Sequence, residues 1–202
     1  MKPDTPFGDD TPVPRSRALA GERPANTARV VVLTCCDANA PCGDVFGLGG
    51  QSVMTIRTVG NTLGEDVLGS LEYACAIQGA SVIVVLGHSH CEALAVACNK
   101  TEPGYLSGVL DRVGPAIRAV RDGGLTDLES GTFLDRVTLE HARRQAQAIT
   151  TRSPMLAQLS ASGRISVIAA VVDSDTGVVR TAHPANATGR HFLVPMESEL
   201  AH

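Results

Sequence analysis

The sequence predicts an α/β domain: a mostly parallel β-sheet flanked by helices. Three observations lead there. Continuous runs of β-branched and aliphatic residues recur at 29–34 (RVVVLT), 80–86 (ASVIVVL) and 164–172 (RISVIAAVV). Runs without polar alternation fit strands covered on both faces, as in a parallel sheet. Segments with helical spacing lie between them, and strand–helix alternation is the pattern of α/β folds. Aromatic residues make up only 3% of the 202 residues and Trp is absent, so the core must be aliphatic.

The elements follow in order. Residues 1–28 read as an irregular arm, because Pro3, Pro6, Pro12, Pro14 and Pro24 break helices and no periodicity shows. Residues 29–202 read as one domain without internal repeats, long enough to bury a core. The first strand, 29–34, runs into a loop at 35–41 and a glycine-rich stretch at 42–51 (Gly43, Gly47, Gly49, Gly50). A second strand covers 52–58 (SVMTIRT), and Gly60-Asn61-Thr62 forms a turn. Residues 64–78 carry helical spacing, with Val67, Leu68, Leu71, Ala74 and Cys75 on one face and Gly79 as a stop. After the third strand, 80–86, come a turn at 87–91 and a helix over 92–98. Residues 101–132 are helical around 109–120, where Pro115 demands a kink or a late start, and then loop through Gly123-Gly124. A long amphipathic pattern covers 133–151, and Ser153-Pro154 opens a helix over 155–160. The fourth strand, 164–172, leads through a turn at 173–177 (DSDTG) into an added edge strand at 178–182. From His183 onward no pattern shows.

Composition excludes several classes. Hydrophobic residues at 44% are too many for a disordered chain. A net charge of −4 without a basic stripe argues against a nucleic-acid partner. No apolar run reaches the ~18 residues of a membrane span, so no membrane partner is expected. Residues 1–10 are polar and lack a hydrophobic signal core, which predicts a cytoplasmic protein. In that compartment the six cysteines are not a disulfide framework, and clustered ones point to metal binding or catalysis. Cys75 and Cys98, set among Ala, Leu and Val, read as small buried hydrophobes.

Two strand ends carry the chemistry: Cys35-Cys36-Asp37 after the first, and Gly87-His88-Ser89-His90-Cys91 after the third. Open parallel sheets bind ligands at the carboxyl ends of their strands, so the two clusters can meet. Zinc accepts thiolate and imidazole in a tetrahedral shell. His88 and Cys91 can bite one Zn2+ across a tight turn, with Cys35 from the neighbouring strand. Three protein ligands leave a fourth position for water, carboxylate or substrate, the catalytic rather than the structural pattern. An H-x-x-C alone is a weak signal; its pairing with C-x-D at an earlier strand end strengthens it.

Other positions read less sharply. Cys36 and Cys42 are a redox pair, alternative zinc ligands, or simply small residues. His90 is a proton shuttle or a turn residue facing solvent. Arg57 binds an ion or backbone, or lines an anion pocket. Asp44 and Glu92 are solvated charges, and His141, in the charged run EHARR, reads as a surface residue. The glycines at 43–50 lack the spacing of a nucleotide loop.

Residues 30–37, 55–70 (TIRTVGNTLGEDVLGS) and 71–94 (LEYACAIQGASVIVVLGHSHCEAL) resemble the β-class carbonic anhydrases, as does 153–179. Cys35, Arg57, Gly60-Asn61, His88 and Cys91 fit that family in order and spacing, and the likeness covers roughly residues 29–182. The resemblance implies zinc held by Cys35, His88 and Cys91, with Asp37 as the catalytic carboxylate. It implies reversible hydration of CO2 to bicarbonate by hydroxide on the metal, whose bound water is acidified to near neutrality. It also implies a homodimer or dimer of dimers with the site near the interface, and Asn26, Asn39 and Gly60 at the substrate pocket.

The sequence departs from the family at the motif C-x-D-x-R, which here reads Cys35-Cys36-Asp37-Ala38-Asn39. The family's arginine holds the aspartate off the metal with charged, bidentate donors, and asparagine carries no charge. Asp37 is therefore expected to close on zinc as a fourth ligand and to suppress hydration. Asn26 also replaces the family's glutamine, and the Pro-rich arm replaces a helical one. Three other functions compete. One is a zinc hydrolase for a CO2-like molecule such as carbonyl sulfide or carbon disulfide. Another is a non-catalytic zinc scaffold of the same fold. A thiol redox protein on Cys35-Cys36 ranks last, since adjacent cysteines make a strained disulfide.

Overall fold

The computed structural model describes residues 29–39, 41–48, 52–99, 104–125 and 131–182. The expectations for the arm at 1–28, including Asn26, and for the tail from His183 lie outside the described residues. Five strands form one sheet: β1 (Arg29–Cys35), β2 (Val53–Thr58), β3 (Ala80–His88), β4 (Ser166–Val172) and β5 (Val179–Ala182). Their order is β2-β1-β3-β4-β5, with every pairing parallel except the antiparallel β4–β5 edge. This is the mostly parallel sheet with an added edge strand that the sequence predicts.

The helices are α1 (Cys42–Val45), α2 (Glu65–Ala76), α3 (Glu92–Asn99), α4 (Tyr105–Leu110), α5 (Gly114–Asp122), α6 (Gly131–Arg152) and α7 (Pro154–Ala161). One sheet face, with Val31, Leu33, Ile83 and Val85, packs against Val67 and Leu71 of α2, Ala142 and Ile149 of α6 and Leu156 of α7. The other face, with Val30, Val32, Val84 and Leu86, meets Cys42, Val45, Phe46 and Leu48. Apolar neighbours on both sides explain why the strand sequences lack polar alternation. A third cluster gathers Cys35, Cys91, Leu94, Val113, Ile117, Phe133 and Val137 beyond the carboxyl end of the sheet.

Three local outcomes differ from the sequence reading. The helix expected around 109–120 is two helices, α4 and α5, with Pro115 in the first turn of α5, where its missing N–H costs nothing. The glycine-rich stretch contains the short helix α1. His141, expected at the surface, is only 1% exposed. The buried face of α6 runs through Phe133, Val137, His141, Gln145 and Ile149 at a four-residue spacing. Glu140, Arg143 and Arg144 ion-pair among themselves on the same helix, so the charge around His141 in sequence belongs to its flanks rather than to its own face.

Two features place the site. The chain leaves β1 for β2 on one side and returns to β3 on the other, so the crevice beyond β1 and β3 is a topological switch point. There α6 also comes close to the sheet: a Cβ at Gly87 would lie 2.7 Å from Cγ2 of Thr138. Only glycine permits that approach one residue before His88.

Candidate metal centre

Cys35 ends β1 and His88 ends β3. Between His88 and Cys91 the chain turns sharply, with His90 in the left-handed region at φ 57. Cys35, Asp37, His88 and Cys91 thereby offer ligand atoms that all lie within 4.8 Å of one another. The two sulfurs are 3.8 Å apart. Two Zn–S bonds of about 2.3 Å at a tetrahedral angle span about 3.8 Å, so the thiol pair fits a zinc edge without rearrangement. Cys35, Cys91 and His88 are 0%, 1% and 5% exposed and Asp37 is half-buried, and two thiols with an imidazole and a carboxylate are a donor set that zinc accepts.

The neighbours orient each donor. The Gly60 N–H donates to Cys35 Sγ at 3.0 Å, from a tight turn (Val59–Asn61) in which Gly60 has φ 62 and Asn61 φ 43. His88 Nδ1 lies 3.0 Å from the Ser89 carbonyl. A carbonyl only accepts, so Nδ1 carries the proton and Nε2 is directed to the cluster. The turn between β4 and β5 braces this arrangement: Ser174 N–H donates to Ser89 Oγ at 2.8 Å, and Ser174 Oγ to the Ser89 carbonyl at 3.2 Å.

Asp37 faces two ways. Its Oδ1 is 2.8 Å from His88 Nε2. Its Oδ2 accepts from the amides of Glu92 and Ala93 at 3.1 and 3.3 Å. These amides open α3, whose positive end favours an anion. Arg57 Nη1 donates to the carbonyls of Ala38 at 2.5 Å and Cys35 at 3.3 Å, clamping the loop that carries Asp37. Asn39 is exposed.

The electrostatics follow from this crowding. The Cys35 thiol is pulled down to about 5, first by the hydrogen bond from Cys91; burial opposes that shift and His88 assists it. Cys91 is pushed well up by the same pairing, with burial adding to it. For Asp37, burial works against ionisation, but bonding with Cys35 and the Ala93 amide and the charge of His88 outweigh it and hold the carboxyl low. For His88, burial is likewise overcome by Cys35 and Asp37, which raise it.

The remaining candidates fall outside the cluster. Cys36 is exposed and Cys42 is buried against the opposite sheet face, and among the described residues neither joins the metal-binding group. The His90 side chain is 75% exposed, with Nε2 3.3 Å from Asp175 Oδ2, as a solvent-facing turn residue would be. The sequence reading missed the amides of α3, the Ser89–Ser174 brace and His141, whose Nε2 lies 2.9 Å from the Gly60 carbonyl. Only the position of His141 on the apolar stripe of α6 could have flagged it.

A sequence model of the family described as carbonic anhydrase matches residues 30–179, three quarters of the chain. The chain belongs to the carbonic anhydrase family, in its β class. Among curated relatives of the family, "Carbonic anhydrase 2" of Mycobacterium tuberculosis is 29% identical over 168 residues, covering 81% of this chain and 76% of the relative. A carbonic anhydrase of Mycolicibacterium smegmatis is 27% identical, covering 76% and 72%. Among solved structures, a Coccomyxa β-carbonic anhydrase in complex with acetazolamide aligns with TM-score 0.66 at 23% identity, covering 78% of this chain and 73% of that one. One of two tetrameric β-carbonic anhydrases from Sordaria macrospora aligns with TM-score 0.69 at 18% identity, covering 80% and 84%. The structural matches confirm the family fold. Among the described residues, no helix is long and apolar enough to cross a membrane.

Proposed function

We propose that this protein is a zinc-dependent carbonic anhydrase that hydrates CO2 reversibly to bicarbonate, with Cys35, His88 and Cys91 as metal ligands. The observation that carries the reading is the convergence of two thiols, one imidazole and one carboxylate within 4.8 Å at the switch point of a family fold. When bound, zinc supplies a water ligand acidified to near neutrality, the nucleophile this reaction needs.

The chain's own residues do the rest. The Gly60 N–H holds the Cys35 thiolate, and Ser89 fixes the ring of His88. Asp37 accepts a proton or a hydrogen bond at Oδ1, while the α3 amides keep its Oδ2 anionic in place of the family's arginine. Because Oδ1 sits within the ligand cluster and Asn39 is exposed, Asp37 competes for the fourth metal position and slows turnover. Asn39, Asn26 and Gly60 belong to the substrate side of this reading, with Gly60 acting through the Cys35 sulfur.

The domain at 29–202 is proposed to work as a cytoplasmic homodimer or dimer of dimers. In support, Tyr73, Ile77, Tyr105 and Met155 are apolar and exposed on the single chain, and the Sordaria macrospora relatives are tetrameric.

Stopped-flow CO2 hydration at pH 7 and pH 9, with metal content measured on the same sample, tests the proposal. One zinc per chain with activity rising toward pH 9 supports it. One zinc per chain without activity at either pH gives the place to a zinc scaffold closed by Asp37 or to a zinc hydrolase of another CO2-like molecule.

A further inference from the structure

We infer that His141 is a positioning residue for the metal thiolate, acting on Cys35 through Gly60. The inference rests on the metal-site reading above. His141 Nε2 lies 2.9 Å from the Gly60 carbonyl, and the Gly60 N–H lies 3.0 Å from Cys35 Sγ. A carbonyl only accepts, so the ring donates from Nε2. Burial pushes His141 down to about 4, so near neutral pH the ring is uncharged and carries its one proton on the Nε2 that faces the Gly60 carbonyl. The two bonds use the peptides on either side of one α-carbon, so fixing the first aims the second.

The turn needs such an anchor. Gly60 and Asn61 are consecutive left-handed residues, a backbone course that persists only where its surroundings enforce it. An N–H donated to a thiolate draws charge from the sulfur and tunes its strength as a ligand.

Packing alone does not account for the ring. His141 is 1% exposed, and its Nδ1 has no hydrogen-bond partner among the described residues. An apolar side chain would fill the space without stranding a polar atom. What the imidazole adds is the donor at Gly60. Nor is His141 needed to dock α6, which holds the next stretch of chain independently. Gln145 Oε1 accepts from the Leu63 N–H at 2.8 Å, and Arg152 Nη1 donates to the Leu63 carbonyl at 2.8 Å.

The test compares His141→Gln with His141→Met, similar in size and differing in the amide donor, and uses Gln145→Leu as a docking control. Each is loaded with Co2+ to read the thiolate-to-metal charge-transfer band, and zinc affinity is measured by chelator competition. The expected result is a shifted band and at least a tenfold loss of zinc affinity in His141→Met, both restored toward wild type in His141→Gln. Gln145→Leu should lower the melting temperature and leave the band in place. The inference is overturned if His141→Met keeps the wild-type band and affinity, or if Gln145→Leu shifts them equally. Should the His141 variants fail to fold, the unmodified protein loaded with NMR-active cadmium decides. Two scalar couplings together support the inference, one from the metal to the Gly60 amide proton and one from His141 Nε2 to the Gly60 carbonyl carbon, and the absence of either overturns it. A wild-type chain that binds no metal fails the metal-site reading itself, and the inference falls with it.

Discussion

Oδ1 of Asp37 lies 2.8 Å from Nε2 of His88, while its other oxygen is held by the first amides of α3. The carboxylate therefore spans from the ligand cluster to a helix terminus. Asn39→Arg would place a permanent charge two residues from Asp37 and compete for Oδ1. A charge-assisted hydrogen bond contributes ~1.5–3 kcal/mol, so the variant should raise kcat/KM for CO2 hydration at pH 7 by about tenfold. Stopped-flow assays on zinc-loaded samples measure this. An unchanged rate would mean that the α3 amides already hold the carboxylate where an arginine would.

The close approach of α6 to β3 makes Gly87 intolerant of a side chain. An added Cβ would meet Thr138 Cγ2 at 2.7 Å and Val171 Cγ2 at 3.4 Å. Gly87→Ala should destabilise the fold by about 1–3 kcal/mol, the usual cost of overpacking. Thr138→Ser removes the clashing methyl group, so adding it should recover much of that loss. Denaturant midpoints of the two single variants and the double variant give the coupling energy. Additive losses would show that the clash is relieved elsewhere.

The strands were legible because burial on both faces writes itself as an unbroken apolar run, as in VVVL of β1 and VIVVL of β3. The cysteine and histidine donors were legible for a different reason: parallel sheets place strand ends side by side, and few residue types ligate zinc. The sequence around His141 points to the surface because Glu140, Arg143 and Arg144 dominate it, and these pair on the helix flank. The grip of Glu92 and Ala93 on Asp37 is made by backbone amides, which carry no residue signature. The break between α4 and α5 turns on tertiary packing of Val113 and Leu110, which Pro115 only hints at.

The burial of His141 predicts acid sensitivity. Desolvation depresses its folded pKa from 6.5 to about 4, with the Gly60 carbonyl partly opposing. Between those values the unfolded chain binds the extra proton, so stability rises with pH. The contribution is complete above the unfolded value of 6.5 and is lost as pH falls through about 4. At about 1.36 kcal/mol per pKa unit, the effect is on the order of 3 kcal/mol at most. Urea midpoints from pH 7.5 to pH 4 should fall for the wild type and flatten in this window for His141→Gln. Parallel curves would assign the acid sensitivity to other groups.

Arg57 offers the sharpest separation between a structural and a ligand-binding role. Its Nη1 bridges the carbonyls of Ala38 and Cys35, on either side of Asp37, so one guanidinium sets the curvature of the loop that presents the carboxylate. Removing it leaves two carbonyls to find other donors and lets the loop drift from the ligand cluster. Arg57→Ala should therefore speed zinc loss to a chelator by about tenfold, the scale of a defect beside a metal shell. Arg57→Lys should fall between, because an ammonium lacks the planar fork and satisfies the pair of carbonyls less well. An anion pocket would behave differently. Zinc release would then stay at the wild-type rate in both variants, while the KM for bicarbonate in the reverse reaction would rise, more in Arg57→Ala than in Arg57→Lys, where the charge is kept.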